Sequence, residues 1–349
     1  MKSNTKHLYP LKFVPVSAQR PWGNHRLATQ WNKPFDPNET LGESWEISGF
    51  EDDSSLVAEG YLAENALYDI IETYMGDIVG DELYKCFGNE FPLLIKLLDV
   101  QDKLSLQVHP DDETAFDRHN CYGKSEAWYI LHAEPDAKIY MGFNRDMDPN
   151  DFYTRCKEGR VMDVLNVVTP KAGDFFFIEA GTVHSAEGGI VIAEVQQLSD
   201  VTYRLFDWGR EFNPETRRET HLDIAFDCIN YKKYDPEQAF VPAEHTAPLL
   251  TQNRYFTINK LDLTNSFHIY TDQYQSFILY FVAKGEACIT PSKSQGESTY
   301  QIRQGEWILV PAAYPDFILS QTVPGTQVLE VYIRLEEEKD SYLPDGNEN

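Results

Sequence analysis

The segment KAGDFFFIEAGTVHS (residues 171–185) decides the predicted fold, because a second segment, RQGEWILVPAAYPDF (residues 303–317), repeats its pattern. Each consists of a glycine and an acidic residue, four apolar or aromatic residues, and then a turn. Each also follows an aromatic strand-like run, SEAWYIL in the first case and YQSFILYFV in the second. This internal repeat indicates two copies of one β-barrel. His184 of the first copy aligns with Asp316 of the second, which predicts one working site and one copy that has lost its ligands.

Most other segments are short apolar runs bounded by Gly, Pro or Asp, a pattern typical of antiparallel sandwiches and barrels. The length of 349 residues favours two domains. We therefore predict a mainly β protein with a catalytic domain over residues 1–240 and a second, degenerate barrel over 250–337. The apolar spacing within residues 64–87 predicts a small helical insertion, interrupted at Gly80. The acidic tail, residues 338–349, is expected to be disordered.

Charge and cysteine usage exclude several classes of function. The net charge of -26 repels nucleic acid and anionic membranes, so an anionic ligand needs a local basic pocket. The 5 cysteines include no CxxC pair, which argues against a disulfide framework or a thiolate metal site. The N-terminal segment has no apolar signal region, and the chain has no apolar run of membrane-spanning length. We expect a soluble, cytoplasmic protein that binds neither nucleic acid nor membrane.

The stretch LSLQVHPDDE (residues 104–113) places polar groups on one face of a strand. Residues two apart in a strand share a face, so Ser105, Gln107 and His109 point the same way. Pro110 ends the strand and places His109 at a rim. Taken alone, this motif is more typical of a surface strand than of a binding site.

Two further motifs complete a possible donor set. In GKSEAWYIL, Glu126 shares a face with Trp128, where an unpaired carboxylate would be costly to bury. In AGTVHSAEG, His184 follows a turn at the end of an apolar strand. Two histidines, a carboxylate and an amide oxygen suit zinc, with iron, manganese or cobalt as other possibilities. The lack of cysteine ligands favours a catalytic site over a structural one.

The runs PLLIKLLDVQDKLSLQVHPDDE, GKSEAWYIL, AGTVHS and VTYRLFDWGR occur in this order over about residues 20–210. In this combination the chain resembles the type I mannose-6-phosphate isomerases (phosphomannose isomerases), especially their shorter bacterial members. The resemblance implies cupin-type (jelly-roll) barrels, one zinc ion, and interconversion of mannose 6-phosphate and fructose 6-phosphate. It also implies the zinc ligands, which are Gln107, His109, Glu126 and His184.

The resemblance extends to residues around the substrate. It implies that Arg204 of VTYRLFDWGR lies over the substrate and that Glu194 of IVIAEVQQ faces the sugar. Alternation in the strand places Arg204 and Tyr203 on opposite faces, and an arginine that points into the barrel would need an anion such as a phosphate or an enediolate. Lys124 and Ser105 match family residues near the substrate phosphate. The chain departs from the family after QVHP, where the acidic run 111–113 stands in place of a frequent lysine.

The resulting hypothesis is a zinc-dependent aldose-ketose isomerase acting through a cis-enediol on a small sugar phosphate. Zinc and Arg204 would stabilise the enediolate, Glu194 or a zinc-bound water would transfer protons, and Lys124 and Ser105 would hold the phosphate. Two alternatives remain open, a metal-dependent cupin oxygenase using the same ligands and a non-catalytic sugar-binding cupin. The sequence assigns neither the oligomeric state nor the catalytic base.

Overall fold

A computed structural model describes residues 7–215, 217–292 and 298–335. The predicted acidic tail lies outside the described residues. The chain forms two compact units. The first unit is built from Val16–Trp45 and Leu93–His245, and the second from the described parts of Met1–Pro15, Glu46–Pro92 and Thr246–Asn349. The limits 1–240 and 250–337 for the two domains remain a prediction.

Short helices lie between the strands. They are α1 (Arg26–Thr29), α2 (Leu67–Tyr74), α3 (Gly76–Val79), α4 (Asp81–Phe87), α5 (Asp112–His119), α6 (Pro149–Glu158) and α7 (Leu222–Ala225). Short 3₁₀ turns occur at Met162–Val164, Arg210–Phe212, Pro236–Gln238 and Thr271–Gln273. Across the described ranges, no helix combines the length and the apolar character needed to span a bilayer.

The strands fall into two series along the chain. The first series is β1 (Val16–Ala18), β2 (Glu43–Ile47), β3 (Leu93–Val100), β4 (Leu106–Val108), β5 (Glu126–Ala133), β6 (Lys138–Phe143), β7 (Leu165–Val168), β8 (Phe175–Ile178), β9 (His184–Glu187), β10 (Ile190–Gln197), β11 (Tyr203–Phe206) and β12 (Phe240–Val241). The second is β13 (Leu249–Gln252), β14 (Thr257–Asp262), β15 (Phe267–Ile269), β16 (Ile278–Lys284), β17 (Glu286–Pro291), β18 (Tyr300–Arg303), β19 (Trp307–Val310), β20 (Phe317–Gln321) and β21 (Gln327–Tyr332).

The first series forms two antiparallel sheets over the described residues. One has the order β1-β2-β3-β10-β5-β8-β12 and the other the order β11-β4-β9-β6-β7. The apolar run of β3 is buried along its whole length. A core of aliphatic and aromatic side chains, including Trp128 and Phe176, packs inside these strands. Because both faces of the central strands are covered, polar side chains that point inward must find partners there.

The second series repeats this arrangement. The order β14-β21-β16-β19 corresponds to β3-β10-β5-β8, and β15-β20-β17-β18 forms the other sheet. The repeated Gly-acid motif makes the same contact in each copy: Gly173 N donates to Ile130 O at 2.8 Å, and Gly305 N donates to Val282 O at 2.9 Å. The internal repeat is therefore confirmed. The protein is mainly β, with two cupin-type sheet pairs.

The predicted helical insertion is confirmed, but it is three short helices. The helical conformation is interrupted at Met75 and at Gly80, whose φ angles are 51° and 101°. A Cβ on Gly80 would lie 2.3 Å from the carbonyl oxygen of Gln275, so both its conformation and its surroundings require glycine. Elsewhere, α6 begins after its N-cap Asp148, whose side chain accepts a hydrogen bond from Asp151 N.

Candidate metal centre

The predicted metal ligands meet inside the first unit. Gln107 on β4 is the cross-strand partner of His184 at the start of β9. Glu126 begins β5, and His109 follows the end of β4. The ligand atoms of His109, Glu126 and His184 all lie within 4.8 Å of one another, and the three side chains are buried. The structure thus brings together residues that are far apart in sequence.

Backbone contacts set the orientation of both histidines. The Nδ1 atom of His109 lies 3.0 Å from the carbonyl oxygen of Val201, and that of His184 lies 2.9 Å from the carbonyl oxygen of Thr182. A carbonyl oxygen only accepts hydrogen bonds, so each Nδ1 carries a proton, and in the neutral imidazole Nε2 is then the nitrogen with a free lone pair. This is the tautomer that ligates a metal through Nε2.

Both Nε2 atoms face the same carboxylate. His109 Nε2 lies 3.3 Å from Glu126 Oε2, and His184 Nε2 lies 3.2 Å from Glu126 Oε1. Among the described residues, Glu126 Oε1 is buried with no hydrogen-bond donor. Two buried acceptors that face each other repel unless a cation lies between them. The residues present therefore fit a divalent metal ion.

Lys124 and Ser105 also contact this donor set. The Lys124 ammonium contacts Glu126 Oε2 and lies 3.1 Å from His109 Nε2. Ser105 Oγ donates to Gln107 Oε1 at 3.3 Å. The Gln107 amide turns its Nε2 towards His184, so this amide must rotate by half a turn for its oxygen to join the metal ligands.

The electrostatics keep Glu126 and His109 in the protonation states that bind metal. Burial alone would raise the pKa of Glu126, but the charge of Lys124 and the contact with His109 hold it well below its usual range. Burial, together with the charge of Lys124, lowers the pKa of His109 to about 3. The carboxylate is therefore charged and the imidazole neutral at physiological pH.

Glu194 is buried in β10, between β3 and β5. Its cross-strand partners are Lys96 and Trp128, and the Trp128 indole Nε1 donates to its Oε2 at 2.9 Å. Burial, reinforced by the negative charge of Glu126, raises the pKa of Glu194 to about 7. A carboxyl group with this pKa is able both to give and to accept a proton near neutral pH.

Sequence reasoning missed Lys96, which is buried beside Glu194. Its Nζ lies 3.3 Å from Asp200 Oδ1, and although burial would lower its pKa, the charges of Glu43 and Asp200 raise it. A signal was present, because a lysine inside the apolar run PLLIKLLDV needs buried negative partners.

A group of arginines lies around Asp207. Arg210 Nη2 and Arg218 Nε donate to the buried Asp207 carboxylate at 2.8 Å and 3.0 Å. Arg204, the register partner of Gln107, donates through Nη1 to Glu219 O at 2.7 Å. Within the described part of the chain, the Nε atoms of Arg204 and Arg210 are buried without a hydrogen-bond partner.

These arginines carry more positive charge than Asp207 neutralises. Burial, and then the charge of Arg218, lower the pKa of Arg204. In a chain of net charge -26, this is the kind of local basic pocket that an anionic ligand requires. Sequence reasoning identified Arg204 but missed Arg210, within the quoted VTYRLFDWGR, and Arg218, which follows an irregular loop.

The fold and the site define a cupin with a candidate metal centre. The chain matches the family model "Phosphomannose isomerase type I, catalytic domain" over residues 11–145 and "Mannose-6-phosphate isomerase, cupin domain" over residues 246–324. It is 34% identical over 318 residues to mannose-6-phosphate isomerase ManA of Bacillus subtilis, covering 89% of this chain and 95% of that protein. The chain belongs to the type I phosphomannose isomerases.

Other comparisons agree. A mannose-6-phosphate isomerase of Streptococcus mutans is 31% identical over 312 residues, covering 86% of this chain and 92% of that protein. The crystal structure of the mannose 6-phosphate isomerase from Bacillus subtilis superposes with a TM-score of 0.78 at 26% identity. That alignment covers 93% of this chain and 100% of the other.

Proposed function

We propose that the protein interconverts mannose 6-phosphate and fructose 6-phosphate through a cis-enediol, with one zinc ion as its cofactor. Family membership supports the reaction, and one observation supports the metal: Glu126 Oε1 and His184 Nε2 are buried acceptors that face each other at 3.2 Å. Gln107 and His109 would complete the ligand set. When bound, the ion supplies a Lewis acid for the oxygens at C1 and C2 of the sugar.

Glu194 is the proposed proton carrier. The reaction moves a proton between C2 and C1, so the enzyme needs a group that accepts a proton and returns it. Burial raises the pKa of Glu194 to about 7 in the metal-free protein, and a carboxyl group with a raised pKa can accept a proton and return it near neutral pH. The hydrogen bond from Trp128 Nε1 holds the carboxyl in one orientation.

The basic side chains of the site are the proposed partners of the negative charges on the substrate. Arg204, with a buried Nε that has no partner among the described residues, would stabilise the charge of the enediolate. Arg210 and Arg218, held by Asp207, would contact the phosphate. Lys124 and Ser105 remain proposed substrate contacts next to the metal ligands.

The test is a coupled assay of the purified protein with mannose 6-phosphate, run as isolated, after chelation, and after zinc is restored. Activity is expected to fall with chelation and to return with zinc. Parallel reconstitution with manganese, iron or cobalt identifies the preferred ion. Absence of turnover by the zinc-loaded protein would refute the isomerase proposal.

Variants separate metal binding from chemistry. His184→Ala is expected to abolish metal binding, measured as bound zinc per chain by elemental analysis. Arg204→Ala is expected to keep the metal and lose rate. His268→Ala, which changes an exposed histidine of the second unit, is the control and should keep both. Loss of metal in Arg204→Ala would show that this residue is misassigned.

A further inference from the structure

The second unit contains a pocket that the proposed reaction does not use. Its volume is about 810 Å³, within the range of small-molecule sites. We call it the tyrosine pocket after its three aromatic walls, Tyr9, Tyr61 and Tyr300. The rest of its lining is polar and includes Lys12 and Glu306. None of these residues belongs to the candidate metal centre.

The tyrosine rings are held in place by their neighbours. The Tyr9 and Tyr61 ring centroids are 5.1 Å apart, and those of Tyr9 and Tyr300 are 6.3 Å apart with the rings 18° from parallel. Tyr9 Oη donates to Glu59 O at 2.6 Å, and Tyr61 Oη donates to His7 O at 3.1 Å. Because these hydroxyls bind backbone carbonyls, the ring positions are fixed before any ligand arrives.

Gly60 allows the chain to pass close to this wall. Its φ is +85°, and a Cβ at this position would lie 2.3 Å from Tyr9 Oη. Only glycine combines this conformation with this approach. The position of Tyr9 in the pocket therefore depends on the local backbone as well as on its own hydrogen bonds.

The charged groups of the pocket balance. Lys12 and Arg303 are cationic, whereas Glu59 and Glu306 are anionic, and Lys12 Nζ lies 2.7 Å from Glu306 Oε2. A balanced set of charges selects neither an anion nor a cation, in contrast to the arginines around Asp207. It does offer hydrogen-bond donors and acceptors side by side.

We propose that the tyrosine pocket binds a neutral saccharide. A sugar ring has a face of C–H groups that contacts the electron-rich face of an aromatic ring, and hydroxyls that both donate and accept hydrogen bonds. The partly exposed Tyr61 and Tyr300 offer aromatic surface beside the charged groups of the pocket. This inference does not depend on the proposed isomerase activity.

The experiment measures sugar binding to the full-length, zinc-loaded protein by saturation-transfer NMR and calorimetry. D-mannose and maltose are the neutral probes, and saturating mannose 6-phosphate is added to occupy the candidate active site. Both neutral sugars are expected to bind under this condition. Absence of binding by the wild-type protein, or displacement by mannose 6-phosphate, would overturn the proposal.

Variants assign the binding to this pocket. Tyr300→Leu keeps an apolar side chain on β18 but removes the aromatic face, and should weaken binding about tenfold. Tyr270→Leu changes an exposed tyrosine of the same unit outside the pocket and should leave binding unchanged. Glu59→Ala changes an exposed lining residue and should weaken binding several-fold without affecting the fold. Unchanged affinity in both Tyr300→Leu and Glu59→Ala would refute the assignment.

Discussion

Replacing Glu194 by glutamine is expected to stabilise the metal-free protein at alkaline pH while removing most of its activity. Burial and the charge of Glu126 raise the pKa of Glu194 from its ordinary value of 4.5 to about 7. Between pH 4.5 and about pH 7, Glu194 keeps its proton in the folded protein but has lost it in the unfolded chain. The free energy of unfolding therefore falls as pH rises through this range. Above pH 7 the ionised Glu194 destabilises the folded protein by the full amount.

The size of the effect follows from the two pKa values. Each pKa unit corresponds to about 1.36 kcal/mol, so the cost of ionising Glu194 in the folded protein is about 3 kcal/mol at pH 8. Glutamine cannot ionise, and its amide oxygen is still able to accept the hydrogen bond from Trp128. Glu194→Gln should therefore gain about 3 kcal/mol of unfolding free energy at pH 8, and much less at pH 5.

Urea unfolding of chelated wild-type and variant protein at pH 5 and pH 8 measures this gain. Glu330→Gln is the matched control, because Glu330 is the buried glutamate in the corresponding position of the second unit. Its carboxylate accepts hydrogen bonds from Tyr274, Tyr280 and Asn259 at 2.9, 2.9 and 2.8 Å. Disrupting these bonds should destabilise the protein by about 1–3 kcal/mol at both pH values.

Two results would refute the reasoning. If Glu194→Gln destabilises the protein at pH 8 as Glu330→Gln does, then Glu194 is a stabilised anion and its pKa is not raised. The zinc-loaded variant should also lose about 10²–10⁴ in kcat, the usual contribution of a positioned acid-base group. An unchanged kcat would exclude Glu194 as the proton carrier.

Three further predictions concern other parts of the molecule. Asp207→Asn should raise the KM for mannose 6-phosphate by about tenfold or more in the coupled assay, because it releases two arginines, whereas Asp163→Asn at an exposed ion pair should change nothing. Gly80→Ala should destabilise the protein by about 2 kcal/mol or more in urea, because its Cβ meets Gln275 O, whereas Gly88→Ala, with no atom within 4 Å, should cost about 1 kcal/mol. Chelation should lower the melting temperature measured by calorimetry, since a ligand that binds only the folded state stabilises it.

Much of the site was predictable because a strand has a two-residue period. Once LSLQVHP is read as a strand, Gln107 and His109 must share a face, and the carboxylate of Glu126, on the same face as Trp128, must have a partner. The pairing of these motifs in space came from the ordered resemblance to a family. No local pattern in the sequence specifies that His184 becomes the cross-strand partner of Gln107.

There is a physical reason why the contacts of the arginines could not be predicted from the sequence. Asp207 and Arg218 are joined across an irregular loop, and loops carry no periodicity from which a contact can be inferred. Lys96 was missed for a different reason. A strand that is buried on both faces has a near-continuous apolar pattern, so its charged side chains, Lys96 and Asp99, reveal burial but not the direction in which each points.

The two copies of the fold show which feature distinguishes the metal centre. Glu330 pairs in register with Tyr280 as Glu194 pairs with Trp128, so both copies bury a carboxylate at the corresponding position. By the same correspondence, Ile278 of the second copy stands where Glu126 stands in the first. Among the described residues, the group of possible metal ligands His109, Glu126 and His184 lies in the first unit.

A buried carboxylate is therefore not in itself evidence for a metal. The buried Glu330 carboxylate accepts hydrogen bonds from neutral donors, which are two tyrosine hydroxyls and an asparagine amide. Glu126 instead faces the Nε2 atoms of two histidines and contacts the Lys124 ammonium. Lys124 contacts Glu126 Oε2 and His109 Nε2, whereas Glu126 Oε1, which faces His184 Nε2, has no hydrogen-bond donor among the described residues. This arrangement, rather than the burial of a charge, is the property that carries the proposal of a divalent ion.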